Sequence, residues 1–475
     1  MKFPTFSKLL GILRRGTGRF PLPIVFSTLT TVSLILCMDK GFDEDIILRY
    51  SLIAGLGFVL SLLVDLILEA SRANNAKRIL AYVGVLVGIC LFGIYVIPAD
   101  IDDARPPFWY GYFLLKFCLH LGIALTPILY TRDSKLLWQF NLNLFLRFVF
   151  SFINAAIVYV GLALALLSID KLFDVGWYDE IYLDTWFICA FSIHPLLFLG
   201  GIARISELEA SKDFPKPLHF SLKFVGLPLT ALYLTIIYAY VAKIVFQWDW
   251  PNGWVAMPIF ILAVISLLVY VLSIPLSRSE SWSLHFHKWL FRLIFPLSIV
   301  LILALQVRLG DYGMTINRYL GIGLGIWLLG ISLASLIRPK LHVGWIPATL
   351  LLATLASIYG GPFGAFGWSQ RAQIERIETL AIELGVWKDE QLVPTDAATD
   401  PELTKQFESS LRYIYGNFGS APLLPLLDNS FIQETESTRY SAYHMTRETM
   451  KYLNIDDDLN NNQSYYLGQN IILKR

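Results

Sequence analysis

The sequence predicts an all-α polytopic membrane protein with about 11 transmembrane helices and a small helix-rich C-terminal domain. Apolar runs of roughly 20 residues recur along most of the chain, and each run is long enough to cross about 30 Å of hydrocarbon as an α-helix. The composition agrees, because 55% of the residues are hydrophobic and only 16% are charged. The loops between the runs alternate between basic and acidic, which indicates the side that each loop faces.

The predicted spans occupy the first three quarters of the chain. They are residues 20–38, 46–68, 79–98, 107–130, 142–168, 184–204, 222–246, 254–276, 291–307, 319–337 and 344–363. The last span is the weakest, because the sequence GGPFGAFGW breaks the helix where it leaves the membrane. The segment 277–292 before the ninth span is predicted to be helical and interfacial, because aromatic residues recur in it every three or four positions.

Basic loops are expected on the cytoplasmic side. The basic loop residues are Arg72, Lys77, Arg78, Arg132, Lys135, Lys212, Lys216, Arg278, Lys288, Arg338 and Lys340. The acidic loop residues are Asp39, Asp43, Glu44, Asp45, Asp100, Asp102, Asp103, Asp170, Asp174, Asp179 and Glu180. This pattern predicts a multi-pass membrane protein with the N-terminus inside and the C-terminus outside.

Two domains are predicted, a transmembrane domain at 1–367 and an extracytoplasmic domain at 368–475. In the second domain, Ser369 is expected to cap a helix that ends at Gly385. Asp400, followed by proline, is expected to start another helix that ends at Gly416.

Four polar residues fall at similar depth near the middle of the bilayer. Lys116 lies about 14 Å from the predicted outer boundary, and His120 follows one turn later on the same face. Asn154 and His194 reach a similar depth from the fifth and sixth spans, and no Asp or Glu does. A lysine there can be neutral, face water or hold an anion. The functional hypothesis is a polar cavity for an anionic solute or lipid headgroup; the alternative is that these groups only fix helix packing.

Asp65 and Arg147 lie near the inner ends of their spans, where a structural ion pair is predicted, with snorkelling of Arg147 as an alternative. The four cysteines have no metal-ligand spacing. No catalytic residue, metal site or cofactor motif is identified, and nothing in the sequence suggests nucleic-acid binding.

The stretch from Tyr312 to Leu380 carries a resemblance to a known family. Its elements here are Tyr312, Gly313, Thr315, Arg318, Tyr319, Trp327, Gly330, Gly361, Pro362, Gly364, Phe366, Ser369 and Gln373. They resemble the C-terminal half of an uncharacterised bacterial polytopic membrane-protein family, the domain of unknown function numbered four-one-five-three. Gly367 and Ala372 stand where serines are expected. The resemblance implies a multi-spanning inner-membrane protein and no activity.

The glycines and proline at Gly361, Pro362 and Gly364 let the chain leave the last span without a regular helix. Arg318 and Tyr319 are predicted to lie close to this exit, where they hydrogen-bond its carbonyl groups and orient the C-terminal domain. The alternative is that the two residues recognise a ligand at the outer end of the tenth span.

The function favoured by the sequence is transport or lipid and anion handling through the polar site, with membrane lipids as partners. One alternative is a non-catalytic sensor or scaffold that presents 368–475 to an envelope protein. A second alternative is a membrane enzyme that acts on a lipid-linked substrate, although no catalytic motif supports an enzyme.

Overall fold

The computed structural model describes residues 11, 16–38, 43–178, 180–208, 214–247, 256–338, 342–396, 400–427 and 441–455. Within these residues, ten helices are long and apolar enough to cross a membrane. The chain is therefore a multi-pass helical membrane protein, as the sequence predicts. The parts of the predicted second domain at 397–399, 428–440 and 456–475 lie outside the described residues.

The first four helices form a bundle around the second of them. They are α1 (Pro21–Met38), α2 (Glu44–Ala70), α3 (Asn75–Tyr95) and α4 (Pro106–Leu125). Side chains of Asp43 and Asn74 cap α2 and α3 by accepting hydrogen bonds from Ile46 and Lys77 N–H groups. Helix α2 contacts the other three, so its residues make up much of this core.

Helix α5 (Ser134–Phe173) contains 40 residues and therefore rises about 60 Å, twice the hydrocarbon thickness. The chain then returns through α6 (Ile181–Ile188), a π-helical turn at Cys189–Ile193, α7 (His194–Gly201) and the short α8 (Ile205–Leu208). Helix α7 and the π-helical turn pack on α5, and the turn also contacts α1.

A second bundle contains the next helices. They are α9 (Lys216–Ser221), a π-helical turn at Leu222–Gly226, α10 (Leu227–Gln247), α11 (Ala256–Ser273), α12 (Ser281–Tyr312) and α13 (Ile316–Ile337). Helix α5 joins the two bundles through Trp138, whose indole N–H donates to the Val271 carbonyl at 2.7 Å.

The predicted helix at 277–292 is helical from Ser281 onward, and α12 continues from there as one helix through Pro296. Its interfacial position stays a prediction. The hydroxyl of Tyr238 donates to the carbonyl of Leu293 at 2.6 Å, beside the position where proline interrupts the helical hydrogen bonds.

The eleventh predicted span is the short helix α14 (Trp345–Tyr359), which packs against α4 and α13. We call the end of the bundles with Arg72, Arg132 and Arg338 the basic end, and the end with Asp43 and Asp174 the acidic end. Helix α14 starts near the basic end, where His342 contacts the Arg132 carbonyl, and finishes at the acidic end. With only 15 residues, it is shorter than each of the ten helices that are long enough to cross a membrane.

The C-terminal domain is built from helices around their own apolar core. It contains α15 (Ala365–Glu383), α16 (Pro401–Phe418), α17 (Ala442–Tyr452) and a two-stranded antiparallel sheet of β1 (Trp387–Lys388) and β2 (Gln391–Leu392). Ile377, Phe407 and Met450 are among its buried residues. The carboxylate of Asp400 caps α16, as expected.

Two predicted helix ends in this domain are wrong. Ser369 does not cap α15: the helix starts at Ala365, and the buried Ser369 hydroxyl donates to the Ala365 carbonyl. Helix α16 continues past Gly416 and ends before Gly419, whose φ of +79° is the left-handed conformation that glycine adopts at helix ends.

Candidate functional site

Lys116 lies near the middle of α4, about 15 Å from the first residue of the helix. Its ammonium nitrogen is 5.4 Å from the centre of the Tyr112 ring, one turn earlier. A Cβ atom built on Gly55 of α2 would be 3.6 Å from the same nitrogen, which is ordinary contact distance, so the ammonium group lies against α2. The Tyr112 hydroxyl donates to the Leu52 carbonyl at 2.8 Å, which fixes α4 against α2.

No carboxylate pairs with Lys116 in the part of the chain that the structure describes. A charged amine within a membrane span is costly unless it is paired or hydrated. The attraction of the tyrosine ring offsets a fraction of that cost, since a cation–π contact contributes about 0.5–2 kcal/mol. Lys116 is therefore an amine within a span for which no described side chain supplies a carboxylate partner.

His120 and Asn154 are both exposed, and their recorded hydrogen bonds are to their own helices. His120 Nδ1 lies 2.7 Å from the carbonyl oxygen of Lys116. The Asn154 amide donates to the Phe150 carbonyl at 2.6 Å. Because neither side chain is packed into a core, each retains polar atoms that can face water or a ligand.

His194 follows the π-helical turn directly, and its ring packs against Phe148 and Phe152 of α5. Its Nε2 atom is buried and has no hydrogen-bond partner among the described residues. Pro195 lacks an N–H group, so it cannot donate to the carbonyl of Phe191 four residues earlier. The hydroxyl of Ser27 on α1 donates to that carbonyl instead, and Thr31 contacts Ser192 at 2.7 Å.

The four predicted site residues are not joined by a recorded contact beyond the Lys116–His120 turn. Lys116 lies against α2, whereas His194 lies against α5. The arrangement therefore offers one membrane cation with an exposed imidazole one turn away. A cavity that also includes Asn154 and His194 stays a prediction.

The structure places Asp65 and Arg147 with other partners. Asp65 is 5% exposed and accepts a 2.6 Å hydrogen bond from the Tyr82 hydroxyl. The exposed Arg147 lies along Gly201, where a built Cβ would be 2.7 Å from the arginine Cδ. Within the described residues no ion pair joins Asp65 to Arg147.

One recorded contact joins the predicted pair, Arg318 and Tyr319, to the exit from α14, and the role of Arg318 there stays a prediction. Tyr319 donates its hydroxyl to the Phe363 carbonyl at 2.7 Å, inside the exit, whereas Arg318 donates to Gly313 at 2.6 Å, outside it. Gly361 has a φ of +55°, which glycine adopts without strain. A Cβ on Gly364 would approach the Ser357 carbonyl to 2.9 Å.

Sequence reasoning missed the contacts between the C-terminal domain and the acidic end. The Ile316 N–H donates to the Tyr413 hydroxyl oxygen at 2.9 Å, and the Gln373 amide donates to the Met314 carbonyl at 3.0 Å. Arg376 donates to the Gly310 carbonyl at 2.8 Å and to Gln406 at 2.7 Å. These partners are far apart in sequence and mostly involve backbone atoms, so no motif signals them.

An open cavity of about 470 Å³ adjoins these contacts. Leu309, Met314, Leu380 and Leu403 are among its apolar lining residues. Glu375 and Glu383 contribute carboxylates, and Arg376 lies between α12 and α16. The cavity lies where the C-terminal domain meets the transmembrane helices.

Comparison with known proteins places most of the chain in one family. The sequence model described as "Domain of unknown function (DUF4153)" matches residues 25–388, which extends through α15 to β1. "Uncharacterized protein PM1469" of Pasteurella multocida (strain Pm70) is 22% identical over 394 residues, which cover 82% of this chain. The aligned region spans 64% of that relative's length. No solved structure matches.

Proposed function

Because the chain belongs to the family described as Domain of unknown function (DUF4153), whose description assigns no activity, we propose a function from the site itself. The protein handles an anionic solute or anionic lipid headgroup in the membrane, with Lys116 as the binding cation. The observation that carries this proposal is the position of Lys116, mid-helix in α4 and without a described carboxylate partner.

The proposed setting is the bacterial inner membrane, with the basic end in the cytoplasm. Arg72, Arg132 and Arg338 at that end support this orientation, because cationic loops are retained in the cytoplasm. The C-terminal domain, which contacts the acidic end, then lies outside.

An anion would supply the counter-charge that no described side chain provides for Lys116. His120 is exposed one turn from Lys116, so a water-filled approach on that face of α4 would hydrate both groups. A reversible ligand suits such a site better than a carboxylate of the protein. A permanent ion pair would balance the charge of the lysine and leave no attraction for a ligand.

Water access is tested first, by thiol labelling in membranes. Three of the four native cysteines are replaced so that only Cys90 remains, which is exposed on α3. A second variant replaces Cys90 as well and carries His120→Cys. A charged thiol reagent should label the introduced thiol and leave Cys90 unlabelled, because thiolates form in water and not in lipid. Equal failure of both thiols to react contradicts a hydrated site.

Anion binding is tested by thermal unfolding of the purified full-length protein with short-chain phosphatidylglycerol or inorganic phosphate. A bound ligand should raise the unfolding midpoint by a few degrees when it is in large excess over its Kd. Lys116→Met should lose the shift and Lys116→Arg should keep most of it, since arginine retains the charge. The same shift in Lys116→Met overturns the proposal.

A second candidate function is a scaffold that binds an envelope protein through the C-terminal domain. The cavity between α12, α15 and α16 favours it, since its lining combines apolar and acidic side chains. Cross-linking from Thr379→Cys at this cavity should capture the same partner repeatedly in intact cells, and Lys388→Cys on the β1 surface serves as the control. Capture from both positions alike argues against a specific site.

A further inference from the structure

Helix α12 is longer than a bilayer requires. Its 32 residues rise about 48 Å, against about 30 Å of hydrocarbon. The segment from Leu293 to Tyr312 alone accounts for about 30 Å. The first three turns, which contain Lys288 and Arg292, therefore lie at the headgroup level of the basic end.

Two cations and a tryptophan share the exposed side of these turns. Lys288, Trp289 and Arg292 are exposed, whereas Phe286 and Leu290 on the other side of the helix are buried in the second bundle. Residues four apart lie one above the other on a helix, so Lys288 and Arg292 are neighbours. We call Lys288, Trp289 and Arg292 the basic stripe.

The charges of the basic stripe are not neutralised by the protein in the part of the chain that the structure describes. The nearest acidic residue along the chain, Glu280, lies 3.4 Å from His219 and 3.8 Å from Lys223 instead. The Arg292 guanidinium lies 5.4 Å from the centre of the Trp289 ring and donates one hydrogen bond to the Lys288 carbonyl. Its remaining N–H groups are available to an external acceptor.

We propose that Lys288 and Arg292, with Trp289 between them, bind the phosphate of an anionic phospholipid in the leaflet at the basic end. The planar guanidinium pairs with two phosphate oxygens, and the lysine adds a second positive charge. Trp289, which is 52% exposed, lies in the headgroup layer that tryptophan favours. Its ring also stabilises the Arg292 guanidinium through a cation–π contact.

The position of the basic stripe favours a lipid, and not a soluble ion, as the source of the phosphate. The stripe is continuous with the apolar, exposed surface of α12, where Ile299 and Leu303 can contact the acyl chains. A soluble anion would gain the charge interaction but not this apolar contact. This site does not depend on Lys116, which lies on a different helix in the first bundle.

The test is native mass spectrometry of the purified full-length protein, released from nanodiscs with equal fractions of phosphatidylglycerol and phosphatidylcholine. The wild type should retain phosphatidylglycerol preferentially. Lys288→Gln with Arg292→Gln should retain one phosphatidylglycerol fewer per chain and lower the affinity roughly 10- to 30-fold. Lys288→Arg with Arg292→Lys keeps both charges and should keep the lipid.

The matched control is Lys388→Gln with Lys405→Gln, which removes the same charge from exposed positions of the C-terminal domain. It should leave lipid retention unchanged. Equal retention by the wild type and the Lys288/Arg292 double variant overturns the proposal, as does an equal loss in the control. Displacement of the lipid by millimolar inorganic phosphate assigns the site to a soluble ion and also overturns it.

Discussion

The hydroxyl oxygen of Tyr413 accepts a hydrogen bond from the backbone N–H of Ile316 at 2.9 Å, and this contact links the C-terminal domain to the first turn of α13. The first N–H groups of a helix have no partner within the helix, so an external acceptor at this position is stabilising. Burial also raises the pKa of Tyr413, so the phenol stays neutral at physiological pH.

Tyr413→Phe should loosen the C-terminal domain from the acidic end without unfolding it. The lost hydrogen bond contributes about 1 kcal/mol, and the apolar packing of the ring remains. Hydrogen exchange of residues 313–319 in the full-length protein should become several-fold faster. Tyr443→Phe, at a position 45% exposed, is the control and should leave that exchange unchanged. Equal hydrogen-exchange rates in wild type and Tyr413→Phe would show that this hydrogen bond does not contribute to docking of the C-terminal domain.

Alanine substitutions at Gly419 and Gly385 distinguish the cost of backbone strain from the cost of disturbing the contact between Arg105 and the C-terminal domain. Both have positive φ, +79° and +71°, but a Cβ on Gly419 would collide with the Arg105 guanidinium, whereas Gly385 has open space. Arg105 donates to the Phe418 carbonyl beside it. Gly385→Ala should cost about 1–2 kcal/mol from strain alone. Gly419→Ala should cost about 2 kcal/mol more in denaturant unfolding of the full-length protein, because it also displaces a charged donor. Similar losses in both variants would contradict a role for Arg105.

The Tyr82–Asp65 hydrogen bond should be more important for stability than Arg147. Tyr82→Phe leaves a carboxyl that is 5% exposed without its recorded donor, so it should cost about 2–3 kcal/mol. Tyr82→Phe combined with Asp65→Leu should recover part of that loss, since both polar partners are then removed. Arg147→Gln should change thermal stability by less than about 1 kcal/mol. A larger effect of Arg147→Gln, abolished in Asp65→Asn, would restore the predicted ion pair.

The Ser27 hydroxyl replaces the donor that Pro195 lacks. Ser27→Ala should cost about 1 kcal/mol or more, because the Phe191 carbonyl loses its partner within the membrane. In a Pro195→Ala background, a helical N–H can donate to the same carbonyl, so Ser27→Ala should cost much less. A double-mutant cycle of unfolding free energies measures this coupling. Additive costs would show that Ser27 acts in another way.

Tyr415 should make the C-terminal domain sensitive to high pH. Burial raises its pKa to about 12, from an ordinary value near 10. Because the folded state favours the protonated phenol, its stabilising contribution is complete below about pH 10 and is lost as the pH rises to about 12. Proteolysis of residues 401–427 should therefore accelerate over this range in the wild type. Tyr415→Phe should show a weaker acceleration, with Tyr443→Phe as the exposed control; identical profiles for wild type and Tyr415→Phe would refute the linkage.

The helices were predictable from sequence because lipid imposes a strong constraint on length and polarity. Apolar runs therefore located the ten long helices and also α14, although the sequence did not show that α14 has only 15 residues. Helix ends were less predictable: the start of the ninth span at 291 and the cap at Ser369 were predicted as boundaries, yet α12 and α15 run through them. In both cases tertiary hydrogen bonding or packing outweighed the local preference.

The sequence was sufficient to pick out the polar residues of the candidate site but not to predict which side chains they contact. Lys116 stands out because charge is rare within spans, but its contact with Gly55 depends on which helices pack together. Asp65 was likewise conspicuous as an acid within a span. Its partner Tyr82 is one of many tyrosines, and no sequence rule indicates that the two side chains lie at the same depth and face each other. Helix rotation decides such pairs, and a single sequence carries little information about it.

The shortness of α14 has a consequence for the surrounding lipid. Its 15 residues rise only about 22 Å, well below the thickness of an ordinary bilayer. Where this helix crosses the bilayer, we expect bordering lipids to be drawn inward, so that the two polar surfaces come closest together beside Trp345 and Tyr359. We expect such a thinned region to shorten the distance that a polar molecule must travel between the leaflets and to favour thin membranes for this protein.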